Sequence, residues 1–110
     1  MTGDAALTLA PEVASIVRPA SLALGDLIVR DDAAGLADAL SQAAETGRAG
    51  NDAADVTAAV RSMYKAVGLD PTKVRPSSEA LLRRVRRGEP LPRINTAVDV
   101  VNWCSMESQL

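Results

Sequence analysis

The sequence predicts an α+β fold in which two short N-terminal strands are followed by about four helices. Three observations predict it. Aliphatic residues cluster or alternate within residues 7–10 and 21–30, four later stretches repeat apolar residues at helical spacing, and turn residues separate these stretches. A chain of 110 residues is long enough for one domain with one hydrophobic core, so residues 1–110 are expected to form a single domain.

The two predicted strands have the least regular sequence pattern of all the predicted elements. The sequence of residues 21–30, SLALGDLIVR, alternates partly and then runs through three adjacent aliphatic residues, and residues 7–10 form a shorter candidate. Pro11 and Pro19 bracket the segment between the two candidates and limit any continuous ladder there.

Two helices are predicted next. Asp31 or Asp32 is positioned to cap the first, and Gly47 is expected to end it. Its core-facing residues are Leu36, Leu40, Ala43 and Ala44. The second begins at residue 51 or 52 and ends at Gly68. Its apolar stripe is Val56, Val60, Met63, Tyr64 and Val67.

A third, short helix follows a loop that contains Pro71 and Pro76, which disfavour helix in the residue before them. Ser77 or Ser78 is expected to cap it, and Gly88 to end it. Its apolar stripe is Leu81, Leu82 and Val85.

The last helix opens at Asn95 or Thr96, after the extended linker EPLPRIN. The sequence contains no stop signal after it. We therefore expect the last four carbonyls of this helix, and its apolar face, to be left open.

Composition limits the kind of core and the kinds of site. Hydrophobic residues make up 47% of the chain but aromatic residues only 2%, so the core has to be built from small aliphatic side chains. The single cysteine, Cys104, excludes an internal disulfide, and the absence of histidine excludes a Cys/His zinc site. We expect no metal and no cofactor, because no glycine-rich phosphate loop and no paired metal carboxylates occur.

No secretory signal and no apolar run of membrane-spanning length is visible in the sequence. The sequence is therefore typical of a soluble cytoplasmic protein that does not insert into a membrane.

Charge is distributed unevenly along the chain, although the net charge is only -2. Residues 1–60 hold three basic and nine acidic side chains, whereas residues 61–93 hold nine basic and three acidic ones. This asymmetry predicts a basic face that attracts polyanions. The alternative is that the basic residues are solvated, or neutralised by the acidic half of the same domain.

Residues 72–110 carry an ordered series of motifs, namely RPSSEALLRRV, then LPRIN, then VDxxN with a glutamate a few residues later. This series resembles the free-standing relatives of the editing module of the phenylalanyl-tRNA synthetase beta subunit. The matching positions are Arg75, Pro76, Ser77, Ser78, Glu79, Leu91, Pro92, Arg93, Ile94, Asn95, Val98, Asp99, Asn102 and Glu107. The segment 51–69 also resembles the family, and residues 5–50 do so loosely.

The chain also departs from the family pattern. Ser108 stands where the synthetase has a glycine, and no histidine is present to match the histidine of the synthetase's editing pocket. In the family the chain continues into strands that close the module, whereas this sequence ends at Leu110. The resemblance therefore implies the first part of an editing module, and an incomplete domain.

The function implied by the resemblance is hydrolysis of the ester between a wrong amino acid and the terminal ribose of tRNA. The candidate substrate-binding residue is Asn102, with Asp99 and Glu107 as further candidates. Asn102 and Asp99 each have a structural alternative. In it, Asn102 would tie the last helix to a loop, and Asp99 would brace the LPRIN linker through backbone hydrogen bonds. Glu107 lies about 140° around the helix from Asn102, so the two do not obviously share a pocket.

RNA contact is the second implied property. The candidate phosphate-binding residues are Arg75, Arg83, Arg84, Arg86, Arg87 and Arg93. Two alternatives to an aminoacyl-tRNA deacylase stay open: a non-catalytic RNA-binding or protein-interaction module, and half of a split domain. A partner chain or a second copy would complete the split domain.

Overall fold

The computed structural model describes residues 7–50 and 54–110, and their regular secondary structure is helical. The helices are α1 (Pro11–Ala14), α2 (Leu36–Ala49), α3 (Ala54–Ala66), α4 (Ser77–Arg86) and α5 (Thr96–Ser108). No strand forms within the described residues. The predicted α+β class is therefore wrong, and the fold is all-helical.

The segment predicted as the second strand does not form a strand. No backbone-to-backbone hydrogen bond between described residues involves residues 21–29. Arg30 is joined to α5, because its carbonyl accepts from the Thr96 N–H at 2.8 Å and its N–H donates to Thr96 Oγ1 at 3.0 Å. A strand requires a neighbouring strand, and residues 7–10 lie exposed without pairing to it. Asp26, with φ of 55°, also interrupts the extended conformation.

The hydrophobic core lies where α2, α4 and α5 pack against one another. The buried core side chains are Leu36, Leu40, Ala43, Ala44, Leu81, Leu82, Val85, Leu91 and Met106. Every apolar position that the sequence predicted for α2 and α4 belongs to this set. The helical periodicity therefore identified the core-facing side of both helices correctly.

Gly47 lies inside α2 and does not end it, contrary to the prediction. A Cβ atom at this position would lie 2.7 Å from Met106 Cε and 3.2 Å from Leu82 Cδ1. Glycine therefore allows the close approach of α2 to α4 and α5, since any larger residue would have to displace the Met106 methyl group. The helix ends at Gly50, whose φ of 85° is costly for residues with a side chain.

The caps differ from prediction in two helices and agree in one. Gly35 precedes α2, and Asp32 instead accepts from the Ala33 N–H at 2.8 Å. Pro76 precedes α4, with no side-chain cap. Asn95 caps α5 as predicted, since its Oδ1 accepts from the Val98 N–H at 2.9 Å. The predicted start of α3 at residue 51 or 52 lies outside the described residues.

The end of α5 is capped in part. Gln109 adopts a left-handed conformation, with φ of 59°, and its side-chain amide donates to the Met106 carbonyl at 2.7 Å. Its backbone N–H donates to the Ser105 carbonyl at 2.8 Å. The expectation of open carbonyls was therefore wrong for two of the last four, because glutamine here performs the role for which glycine or asparagine is the usual signal. The outward apolar face of α5 is exposed, as expected, with Val101 66% exposed.

Helix α3 lies beside the three-helix core and has no fully buried residue. An ion pair from Arg61 Nε to Glu79 Oε1, 2.7 Å long, joins it to α4. Gly68, with φ of 86°, follows its last turn as predicted. None of the helices in the described residues combines the length and apolar character that a bilayer crossing requires.

Candidate nucleic-acid interface

A groove between α3 and α4 collects basic side chains. Its charged lining residues are Arg61, Arg75, Glu79, Arg83 and Arg86. On α4, residues 79, 83 and 86 recur at spacings of four and three, so they share one face, while the apolar stripe of the helix enters the core. Residues 54, 57 and 58 of α3 are alanine or threonine, and these small side chains leave the groove open.

The charge of the α3–α4 groove is strongly positive. Four guanidinium groups line it against one carboxylate, Glu79. Glu79 pairs with Arg61, and this hydrogen bond raises the pKa of the Arg61 guanidinium further above its usual value. The second carboxylate oxygen of Glu79 is buried and has no hydrogen-bond partner among the described residues. One guanidinium is thus neutralised, and three positive charges remain.

Two of these guanidinium groups have no partner within the described residues. Arg75 and Arg83 are exposed and make no hydrogen bond or ion pair there. Arg86 is held in place, since its Nε donates weakly to the Gly47 carbonyl at 3.4 Å. Reciprocally, Arg48 of α2 donates from its Nε to the Val85 carbonyl of α4 at 3.0 Å. The C-terminal ends of α2 and α4 thereby cap each other with cations.

The other three arginines of the predicted RNA-binding set hold local structure outside the groove. Arg84 Nε donates to the Pro90 carbonyl at 2.6 Å. Arg87 pairs with Glu89 at 2.8 Å and lowers the pKa of that carboxyl. The third, Arg93, pairs with a carboxylate of α5. The structure therefore brings three of the six predicted arginines together in one groove and separates the rest.

Asp99 is fully buried and serves the linker before α5. Its Oδ1 accepts from the Ile94 N–H at 2.8 Å, and its Oδ2 accepts from Arg93 Nε at 3.0 Å. The backbone hydrogen bond, followed by the ion pair, lowers the pKa of the Asp99 carboxyl, although burial opposes this shift. Arg93 also pairs with Asp32, so one guanidinium joins residue 32 to α5. This is the bracing role that the sequence suggested as the alternative to substrate binding.

The other two predicted substrate-binding residues lie apart from each other. Glu107 Oε1 accepts from Trp103 Nε1 at 2.8 Å, beside a cleft between α2 and α5. Asn102 is half-buried, and its side-chain amide bonds to neither Glu107 nor Asp99. The tie from Asn102 to a loop is also absent among the described residues. The three residues therefore do not converge on one point.

Arg61 and Glu79 were not predicted as parts of one site. Their contact spans 18 residues of sequence, so only the packing of α3 on α4 reveals it. Opposite charges on two predicted amphipathic helices were the available signal, but many such pairs occur in the sequence. Within the part of the chain that the structure describes, no group of three or more acidic or cysteine side chains is placed to hold a metal ion.

Comparison with models of known protein families, with curated proteins and with solved structures finds no match to this chain.

Proposed function

We propose that this chain is a non-catalytic RNA-binding module that holds the phosphate backbone in the α3–α4 groove. The resemblance of residues 72–110 implies tRNA as the RNA. The observation that carries the proposal is the pair Arg75 and Arg83, which are exposed, unpaired within the described residues, and directed to one groove with Arg86.

The chemistry of the groove favours phosphates over bases. Guanidinium groups form two parallel hydrogen bonds with a phosphate, which gives both charge and geometric fit. The residues that line the groove include no aromatic side chain on which a base stacks. Binding is therefore expected to depend on salt and to be insensitive to RNA sequence.

Hydrolysis of an aminoacyl ester has weaker support. Editing requires groups that hold the ester and position a water molecule at one point. Asp99 is committed to the linker, Glu107 bonds to Trp103, and Asn102 lies apart from both. A binding role needs only the groove, so it is the function that we put forward.

The salt dependence of RNA binding tests the proposal. Three net charges in the groove predict that log K falls with log salt with a slope of about -2.7 for a duplex stem. The double variant Arg75→Gln/Arg83→Gln should reduce the slope to about -0.9. Fluorescence anisotropy of a labelled tRNA, titrated with protein at several salt concentrations, measures both slopes.

A matched control removes two charges elsewhere. Arg18 and Arg30 are exposed and lie outside the groove, so Arg18→Gln/Arg30→Gln should leave the slope near that of the wild type. Circular dichroism should show that both double variants retain the helical fold. Absent binding, or equal losses in the two variants, refutes the groove as the site.

The catalytic alternative is tested with tRNA mischarged with tyrosine. The non-catalytic module releases tyrosine no faster than buffer does. Release above that background, slowed by Asn102→Ala, would replace the proposal with the hydrolytic function that the resemblance implies.

A further inference from the structure

Helix α5 is apolar on both of its sides. The inner side carries Met106 into the core. The outer side carries a second apolar stripe at helical spacing, Ala97, Val100, Val101 and Cys104, which we call the outer stripe. Val101 is 66% exposed and Val100 is 42% exposed. One copy of this chain covers only the inner side, so the outer stripe has no apolar partner in the single copy.

Charge is also missing from this helix. Between residues 94 and 106 the sequence contains one ionisable acidic or basic side chain, Asp99, which is fully buried. The outer stripe is therefore free of charge. Depletion of charged residues distinguishes the centre of a protein interface from ordinary surface.

A second exposed apolar surface lies on residues 20–30, which we call the arm. Its aliphatic side chains are Leu22, Leu24, Leu27, Ile28 and Val29, with exposures between 54% and 81%. The two hydrogen bonds between Arg30 and Thr96 place the end of the arm beside the start of α5. Even so, the arm and the outer stripe both remain exposed in a single copy.

We propose that two copies of this chain form a two-fold dimer in which the arm of each copy covers the outer stripe of the other. Such an arrangement uses the same pair of surfaces twice and closes, so it leaves neither surface open. The occupant of the outer stripe is thus a segment of a second, identical chain.

The available area, if all of these side chains are buried, overlaps the range of specific dimers. Full burial of an aliphatic side chain removes about 60–120 Å² of apolar surface, from its transfer free energy and the free energy per unit area. Scaled by the exposures of the arm and the two valines, two copies bury about 500–1,000 Å² of apolar surface. Since about 60% of an interface is apolar, the total is about 900–1,700 Å², which reaches the range of specific interfaces.

The dimer is independent of the proposed RNA site. No residue that lines the α3–α4 groove belongs to the arm or to the outer stripe. Failure of one proposal therefore leaves the other standing.

Molar mass in solution tests the dimer. Sedimentation equilibrium of the wild type should give twice the chain mass of 11.5 kDa at high protein concentration. Ile28→Glu in the arm and Val101→Glu in the outer stripe should each give monomers. Both side chains are exposed in the single copy, so circular dichroism should be unchanged. Val74→Glu is the matched control, since Val74 is 51% exposed outside both surfaces, and it should remain dimeric.

A mixing experiment distinguishes the exchanged arrangement from other dimers. Ile28→Glu and Val101→Lys should each be monomeric alone. Their mixture should form a heterodimer, because one interface then joins Glu to Lys and the other joins the two wild-type surfaces. Alkylation of Cys104, which is exposed in the single copy, should slow as the wild type associates. A wild-type chain that is monomeric at every concentration, or a dimer unaffected by Ile28→Glu and Val101→Glu, overturns the proposal.

Discussion

Replacing Asp99 by alanine removes both acceptors that hold the linker before α5. The Ile94 N–H loses its partner at 2.8 Å, and the Arg93 guanidinium loses its partner at 3.0 Å. Asp99 has no exposed surface, so the space that it leaves is shielded from bulk water. The Ile94 N–H, deprived of its acceptor in this way, carries a desolvation cost in the folded state, whereas the Arg93 guanidinium keeps Asp32 as a partner.

The expected cost follows from these two bonds. The bond from the Ile94 N–H to the charged carboxylate contributes about 1.5–3 kcal/mol. The Arg93 side chain is 37% exposed and also pairs with Asp32, so its bond to Asp99 contributes only about 0.5–1 kcal/mol, and the two bonds together about 2–4 kcal/mol. The variant no longer buries a carboxylate, which offsets part of this loss. We expect a net loss of about 2 kcal/mol, out of a total stability of about 5–15 kcal/mol for a domain of this size. The corresponding fall in Tm is about 8–16 °C.

Thermal unfolding followed by circular dichroism at pH 7 measures this loss. Glu45→Ala is the matched control, because Glu45 is an exposed carboxylate in α2 and should change stability by less than about 0.5 kcal/mol. If Asp99→Ala melts within a few degrees of the wild type, the bracing role of Asp99 is wrong. The assignment of Asp99 to substrate binding would then be the better explanation.

Further predictions concern packing, capping and pH. Gly47→Val should lower the free energy of unfolding by about 1–3 kcal/mol, because the new atoms collide with Met106. The control Ala49→Val, at an exposed position of the same helix, should have a much smaller effect. Asn95→Ala should cost about 1 kcal/mol by removing the cap of α5, and Asn95→Ser should largely retain it; urea unfolding measures both. The pKa of the Asp99 carboxyl is lower in the folded state than in the unfolded state. The contribution of Asp99 to the free energy of unfolding is therefore complete above its unfolded pKa, and it is lost as the pH falls through its folded pKa. Asp99→Asn should therefore show a shallower loss of stability between about pH 5 and pH 2, and an unchanged slope would contradict this.

Local patterns predicted α2 to α5, but not α1, because the signals for these four helices lie within a few residues. The apolar positions of α2 and α4 follow from helical periodicity, and all of them enter the core. Asn95 was recognisable as a cap because an N-cap bonds to a backbone N–H three residues later. Gly47 was misinterpreted for the opposite reason. A glycine that ends a helix and a glycine at a helix crossing look alike in sequence, and only the neighbouring helices distinguish them.

The strands failed as predictions because a strand depends on its partner. Residues 21–30 have the composition of a strand, but no described segment pairs with residues 21–29. The candidate site was predicted only in part, because which arginines share a groove also depends on packing between distant residues. The sequence identified a basic segment that includes Arg75, Arg83 and Arg86, yet it did not separate these from arginines such as Arg84, which bonds to the linker.

Sequence alone was enough to predict the core-facing stripes of α2 and α4, the cap of α5, the aliphatic core and the concentration of basic charge after residue 60. Each of these depends on residue type and on spacing along the chain. Tertiary structure alone decided which arginines share a groove, that Asp99 braces the linker, and that the outer stripe of α5 stays exposed. These features depend on which helix faces which, and the free energy of that packing comes from contacts between residues far apart in the chain.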